Sequence, residues 1–276
     1  MSTTQQINSY QDIDWPQLWQ NSRAQKSWKS KTAGDWSKKA PGFASRNRTS
    51  AYVDQFLQLF GTHHDARVLD VGCGPGTLSI PLAQSVGSVT AVDYAAGMIE
   101  ELDSVCNQLN IANIKSVCCA WEDHWPDYGI TPHDIAIASR SMNIAQLERG
   151  IEKLIAHATE MVIISDRIDP SPFDPDAFQA IGRSFQSGPD YIYTFNILYT
   201  MGIHPRVEHI TLDQELTFTD LKEAYESYRW MFKDLSDQEQ NALQQFIEER
   251  VISRSDNHVT IKRNHPQRWA VMSWKT

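Results

Sequence analysis

Glycines 72, 74 and 76 stand at every second position directly after the apolar run Val68-Leu69-Asp70-Val71, and a helical pattern follows them. A strand ends there, the backbone turns sharply, and no side chain stands between the loop and an approaching ligand. A second short apolar run, Val89 to Val92, ends in the carboxylate of Asp93. Two such runs with a helix between them set a nucleotide-type ligand at the carboxyl edge of a parallel sheet.

The spacing narrows the ligand. A dinucleotide fingerprint, G-x-G-x-x-G, needs glycine where this chain has Thr77, and a phosphate-binding P-loop needs a Gly-Lys-Ser/Thr that is absent here. The run Val68-Leu69-Asp70-Val71-Gly72-Cys73-Gly74-Pro75-Gly76 resembles the first motif of class I S-adenosylmethionine-dependent methyltransferases, V-L-D-x-G-C-G-x-G. The resemblance implies S-adenosylmethionine as cofactor and S-adenosylhomocysteine as product. It places Gly72, Cys73, Gly74 and Gly76 under the methionine part and has Asp70 orient that loop and the amino group. Asp93 is then expected to accept hydrogen bonds from both ribose hydroxyls. Tyr94 and Met98 are expected against the adenine, with plain helix packing as the alternative. After the third strand the family carries a Gly-Asp-Ala-like segment; this chain has Ala120-Trp121-Glu122-Asp123, with Ala120 at the usual acidic position. Trp121 and Glu122 are therefore the expected adenine contacts. Ser139 and Arg140, ending strand 4, are expected to offer main-chain contacts to the methionine end.

The rest of the chain reads as alternating short apolar runs and helical patterns, the signature of βαβ units. Strands are predicted at Arg67–Val71, Ser88–Val92, Ile114–Cys118, Asp134–Ser139 and Met161–Ser165. Helices are predicted at Ser50–Phe60, Gly76–Ser85, Ala96–Leu109 and Ala145–Ala158. The strands are apolar without alternation, which suits a sheet covered on both faces. Beyond residue 170 the rhythm breaks. Residues 176–204 read as mostly helical, Val207–Phe218 as one strand, Asp220–Phe232 and Asp237–Val251 as helices, and Val259–Ile261 and Trp269–Trp274 as late strands. Asp174-Pro175 reads as a helix start, and Ser236 with Glu239 as a capping box. The expected fold is a doubly wound α/β domain with a mostly parallel seven-stranded sheet and an antiparallel last strand. A helical lid over residues 1–50 precedes the methyltransferase domain of residues 51–276, with cap elements at about 174–204 and 219–252.

The 276 residues carry a net charge of −9, which argues against a nucleic-acid partner held by bulk electrostatics. The charge is uneven, for Arg23, Lys26, Lys29, Lys31, Lys38, Lys39, Arg46 and Arg48 face a single acid, Asp35, within residues 21–50. This segment is either a solvated or acid-paired face, or a basic flap over an anionic substrate. Cys73, Cys106, Cys118 and Cys119 lack paired metal spacing and read as reduced thiols, so no metal is expected. No apolar run suits a signal region or a membrane span, so a soluble, cytoplasmic protein is expected.

The acceptor is less legible. Open α/β sheets hold ligands at the carboxyl ends of their strands. Arg140, Asp166 and Tyr191 are the catalytic candidates. Trp36, within a lid segment spanning residues 35–44, is a substrate-binding candidate along with Arg140, Asn143 and Tyr193. Arg140, Arg167 and the basic flap together suggest a small anionic acceptor, although Arg140 also suits a structural ion pair. No Asn-Pro-Pro-Tyr/Phe motif follows strand 4, where Ser139-Arg140-Ser141-Met142 stands. A cofactor-binding regulatory protein that methylates nothing is the alternative function.

Overall fold

The computed structural model describes residues 8–28, 30–40, 42 and 50–276. Its centre is a seven-stranded sheet with spatial order β3-β2-β1-β4-β5-β10-β6. These strands are β1 (Arg67–Val71), β2 (Ser88–Asp93), β3 (Ile114–Cys118), β4 (His133–Ser139), β5 (Ala158–Arg167), β6 (Arg206–Thr211) and β10 (Arg268–Lys275). β10 runs antiparallel to both β5 and β6; the pairings among β1 to β5 are parallel. The doubly wound sheet with an antiparallel last strand is as expected.

Both faces of the sheet are covered. On one face, α3 (Ala51–Phe60), the short α4 (Ser79–Leu82) and α5 (Ala96–Leu109) bury Tyr52, Phe56, Leu82 and Leu102 against Val68, Ile135, Ile137 and Ile163. On the other, α6 (Leu147–Ala156) and α8 (Tyr191–Thr200) bury Ile151, Leu154, Ile197 and Leu198 against Leu69, Ala136, Ala138 and Ile164. Helix α4 is shorter than the predicted Gly76–Ser85. Past Ala83 the N–H groups of Gln84 and Ser85 return to carbonyls three residues back, those of Pro81 and Leu82, so the regular α-helix ends in a tighter turn.

The segment between β6 and β10 differs most from the sequence reading. Val207–Phe218 is not one strand. It breaks at Leu212-Asp213-Gln214, and β7 (Glu215–Phe218) leaves for a second sheet of order β7-β9-β8. β8 (Val251–Arg254) had no sequence signal, and β9 (Val259–Lys262) pairs antiparallel with both neighbours. With α7 (Pro175–Ala180), α9 (Leu221–Arg229) and α10 (Asp237–Glu249), these strands enclose a core of their own around Phe178, Tyr228, Leu243, Phe246 and Ile261. The predicted cap at 174–204 is therefore divided. Helix α7 joins the inserted module, whereas α8 packs on the main sheet. Both predicted helix starts are present, with Asp174 capping α7 ahead of Pro175 and a Ser236–Glu239 capping box opening α10.

A buried ion pair centres the module. Arg263, 3% exposed, lies 3.3 Å from Asp174, which is fully buried and also accepts a 3.1 Å hydrogen bond from the Tyr228 hydroxyl. Removing one partner strands the other charge away from water. Arg263→Met should therefore destabilise the fold by about 3–5 kcal/mol, read from denaturant unfolding; a loss below about 1 kcal/mol would contradict this role.

Candidate active site

The glycine loop is built by backbone geometry. Gly72, Gly74 and Gly76 have φ of 76°, 56° and 84°, the left-handed region that side-chain-bearing residues avoid. A Cβ on Gly72 would stand 2.3 Å from Cβ of Ser141, and one on Gly76 would stand 2.5 Å from Leu102. The loop is fastened to the end of β2. Gly72 and Cys73 donate their N–H groups to the carbonyl of Val92 at 2.7 and 3.0 Å. Gly74 N–H donates to Asp93 Oδ2 at 2.9 Å, and Ala95 N–H donates to Asp93 Oδ1 at 2.9 Å. The Asp93 carboxylate thus holds the loop and the start of α5 together, and each oxygen keeps acceptor capacity for a further donor.

Asp70 lies beneath the loop, 2% exposed, and accepts a 2.6 Å hydrogen bond from the Ser79 hydroxyl. Burial raises its pKa to about 7, and the nearby Asp93 charge adds to the rise. Burial also pushes the Cys73 thiol up, so this loop cysteine stays protonated.

Over the carboxyl edge of the sheet lies the N-terminal segment, with α1 (Trp15–Gln25) and α2 (Ala33–Ser37). It is fastened to loops after three different strands. After β4, Trp19 Nε1 donates to the Ile144 carbonyl at 2.8 Å, and Arg23 bonds the side chain and carbonyl of Asn143 at 3.0 and 3.1 Å. After β5, Trp28 Nε1 donates to the Ser187 carbonyl at 2.8 Å. After β2, the Tyr94 hydroxyl donates to the Lys31 carbonyl at 3.1 Å, and Gly97 N–H donates to Ser37 Oγ at 3.1 Å. Gly97 admits this approach because it has no side chain; a Cβ there would stand 2.7 Å from Cβ of Ser37. Met98 is buried with Ala40 and Ala95, and Trp36 packs against this cluster.

The other predicted residues are spread over the lid and the strand ends. Asn143 and Tyr193 serve the lid: the Tyr193 ring meets Trp15 and Trp19 edge-on at 6.2 and 6.4 Å. Tyr191 packs on the same side, edge-on to His209 at 6.2 Å. Trp121 leans on Trp125 at 5.6 Å beyond β3, while Glu122 is exposed. Arg167 is corrected as an anion holder, because its donors go to the carbonyls of Ser171, Ser187, Gly188 and Pro189. Among the lid bases, Lys26 lies over Trp28 and Lys31 over Trp36. No described lid base forms an ion pair with an acid among the described residues. Lys29, Pro41, Arg46 and Arg48, and Phe43 and Ala44 of the predicted lid segment, lie outside the described residues.

Arg140 directly follows β4, and Asp166 is the next-to-last residue of the adjacent β5. The Arg140 N–H is spent on the carbonyl of Ser165, at 2.9 Å, so its main chain makes a sheet bond there. Its φ of 58° is left-handed, a conformation costing about 1–3 kcal/mol outside glycine. The guanidinium lies over the ring of Tyr52, 4.1 Å from its centroid. Tyr52 was legible only as a core aromatic of α3. Its hydroxyl bonds Ser139 Oγ at 2.7 Å and Ser165 Oγ at 2.5 Å, tying α3 to both strand ends. Asp166 accepts from the Thr194 hydroxyl at 2.7 Å and from Arg167 N–H at 2.8 Å, and burial raises its pKa.

A family model described as a methyltransferase domain matches residues 68–162, the span from the glycine loop into β5. The chain belongs to the class I S-adenosylmethionine-dependent methyltransferase superfamily. It is 32% identical over 245 residues to an uncharacterized protein of Haemophilus influenzae, covering 87% of this chain and 88% of that one. It is 35% identical over 79 residues to the aklanonic acid methyltransferase DauC of a Streptomyces species, covering 28% of this chain and 35% of that one. In fold it is similar to the YcgJ protein of Bacillus subtilis, with a TM-score of 0.54 at 12% identity, covering 81% of this chain and 97% of that one. The glycine cradle and the carboxylates Asp70 and Asp93 suit this methyltransferase's cofactor, which combines a zwitterionic amino acid with a ribose. Among the described residues no cluster of metal-binding side chains occurs, and no helix is long and apolar enough to cross a membrane. All four cysteines are free thiols.

A carboxyl raised above its unfolded pKa of about 4 contributes stability below pH 4 that is lost as pH rises through about 7. The ligand-free protein should therefore lose about 5 °C or more of melting temperature between pH 5 and 8, and Asp70→Asn should flatten that slope. Equal slopes in the two proteins would exclude Asp70 as its source. Gly97→Val should undock α2, giving faster proteolysis of residues 30–40 and at least tenfold weaker cofactor binding. Unchanged proteolysis would mean that this approach does not hold the lid.

Proposed function

We propose that this methyltransferase acts on a small molecule, in a chamber bounded by the lid, α8 and the carboxyl ends of β4 and β5. The observation that carries the reading is the lid's fastening to the loops after β2, β4 and β5. A roof pinned at three strand ends leaves room for a metabolite and bars a folded macromolecule. S-adenosylmethionine supplies a methyl already activated on a sulfonium, so the protein contributes mainly position and a dry site.

In this reading the loop of Gly72, Cys73, Gly74 and Gly76 carries the methionine part, and Asp70 meets the amino group through the same loop. Asp93 uses its remaining lone pairs on the ribose hydroxyls. Tyr94, Met98 and Trp121 flank the adenine, with Glu122 at its edge, and Ser139 borders the methionine end. Trp36 roofs the cofactor side, while Tyr191 and Tyr193 wall the acceptor side and Asn143 holds the lid beside it. Asp166 is the candidate base for an acceptor that must lose a proton, since burial favours its taking one. An acceptor that arrives as an anion needs no such help.

Calorimetric titration with S-adenosylmethionine and S-adenosylhomocysteine tests the cofactor half. Both should bind in the micromolar range, and Asp93→Ala should weaken them at least tenfold while NAD fails to compete. Turnover followed as S-adenosylhomocysteine release then tests the acceptor half, with a small-metabolite panel set against tRNA. Methylation of tRNA and of no small molecule would overturn the reading.

A further inference from the structure

Arg140 is a charge with no carboxylate of its own. Its guanidinium has two aromatic neighbours, Tyr52 at 4.1 Å and Trp269 at 5.8 Å, and those two rings meet edge-on at 5.1 Å. Among the described residues its side chain makes neither an ion pair nor a hydrogen bond. Residues 1–7, 29, 41 and 43–49 contain no Asp or Glu, so no acid reaches it from there either. The cost of desolvating an unpaired guanidinium draws its pKa down.

The backbone places it there. Along β4, Ile135 and Ile137 bury toward α3, whereas Ala136 and Ala138 bury toward α6 and α8. Strict alternation would send Arg140 to the α8 side with Ala138. The left-handed φ turns it instead onto the Tyr52 face. Asp166 keeps the alternation of β5 and meets Thr194 of α8. The two charges end neighbouring strands yet stay unpaired, one turned to each side of the sheet edge. Aromatic faces hold a guanidinium flat without consuming its N–H donors. Arg140 therefore presents a free fork at the end of β4, where ligands of open α/β sheets bind.

We propose that Arg140 grips a carboxylate of the methyl acceptor, so that the substrate class is a small carboxylic acid, and that Tyr52 is the positioning residue that holds the guanidinium for it. This rests on the small-molecule reading above. Tyr52 acts through its ring against Arg140; its hydroxyl separately ties α3 to Ser139 and Ser165.

The test uses the full-length protein saturated with S-adenosylhomocysteine. Benzoate and succinate are titrated by thermal shift, with benzamide, succinamide and inorganic phosphate as controls. Wild type should be stabilised saturably by a carboxylate and not by its amide. Arg140→Met should weaken that binding at least tenfold, and Arg140→Lys, which keeps the charge but loses the fork, should fall between. Tyr52→Phe should retain carboxylate binding and Tyr52→Leu should lose it, which separates the stacking ring from a general loss of packing. The proposal is overturned if wild type binds neither carboxylate, if the amides bind equally well, if phosphate binds in their place, or if Arg140→Met and Arg140→Lys both bind like wild type. Titration of S-adenosylhomocysteine alone keeps the two readings apart. Its failure to bind, with Arg140-dependent carboxylate binding intact, would sink the methyl-transfer reading and leave the anion site standing.

Discussion

Three backbone N–H groups of the loop after β1 reach across to the end of β2, two to the Val92 carbonyl and one to the Asp93 carboxylate. The rest of the site depends on this tie. It sets the glycine loop in its left-handed path, places the start of α5 through the second Asp93 oxygen, and so positions Tyr94 and Gly97 for the lid. The constraint is steric as well as polar. The loop crosses so close to Ser141 that Gly72 has no room for a Cβ, while Ser141 itself donates to the Val71 carbonyl at 2.7 Å. The ends of β1, β2 and β4 are thereby held by one small network, and the lid is fastened to the segments that leave β2 and β4.

The charges of the site are arranged by burial. Asp70 carries a raised pKa because it is enclosed, and its neighbour Asp93 escapes a larger rise because backbone N–H groups from Gly74, Tyr94 and Ala95 offset the desolvation. Arg167, next to Asp166, donates to carbonyl oxygens of the loop it braces and lies 3.8 Å from the Asp169 carboxylate. Among the described residues, the Arg140 guanidinium meets only the aromatic faces of Tyr52 and Trp269. The same residue type thus has two fates at two adjacent strand ends, decided by what packs against each.

Much of the cofactor half was legible because its signals are local. The glycine loop, Asp93 and the bounds of β1, β3 and α5 rest on short-range rules of turn geometry and apolar periodicity. The surroundings of the β4 and β5 ends were less legible because they are assembled from distant segments. Tyr52 has the same helical spacing as any core aromatic, and nothing in the sequence marks its hydroxyl as the link between Ser139 and Ser165. Gly97 sits inside a good helix pattern, and only the lid's approach explains it. Arg140 and Arg167 looked alike as fork-bearing residues after strands 4 and 5. Within Val207–Phe218 the passage from the main sheet to the module sheet is marked only by the polar run Asp213-Gln214-Glu215, too short an interruption to separate two strands by pattern.

The sequence by itself determined a class I methyltransferase sheet with its glycine loop, since a nine-residue motif and the order of strands and helices are encoded in neighbouring residues. Tertiary structure alone decided which polar side chains at the ends of β4 and β5 keep free donors and which are consumed in bracing the loops. That choice turns on contacts between residues more than a hundred positions apart, such as Arg23 with Asn143 and Tyr52 with Ser165, and on one left-handed residue at the end of β4. Short-range pattern cannot encode either, because burial and hydrogen-bond competition are settled only when the elements meet.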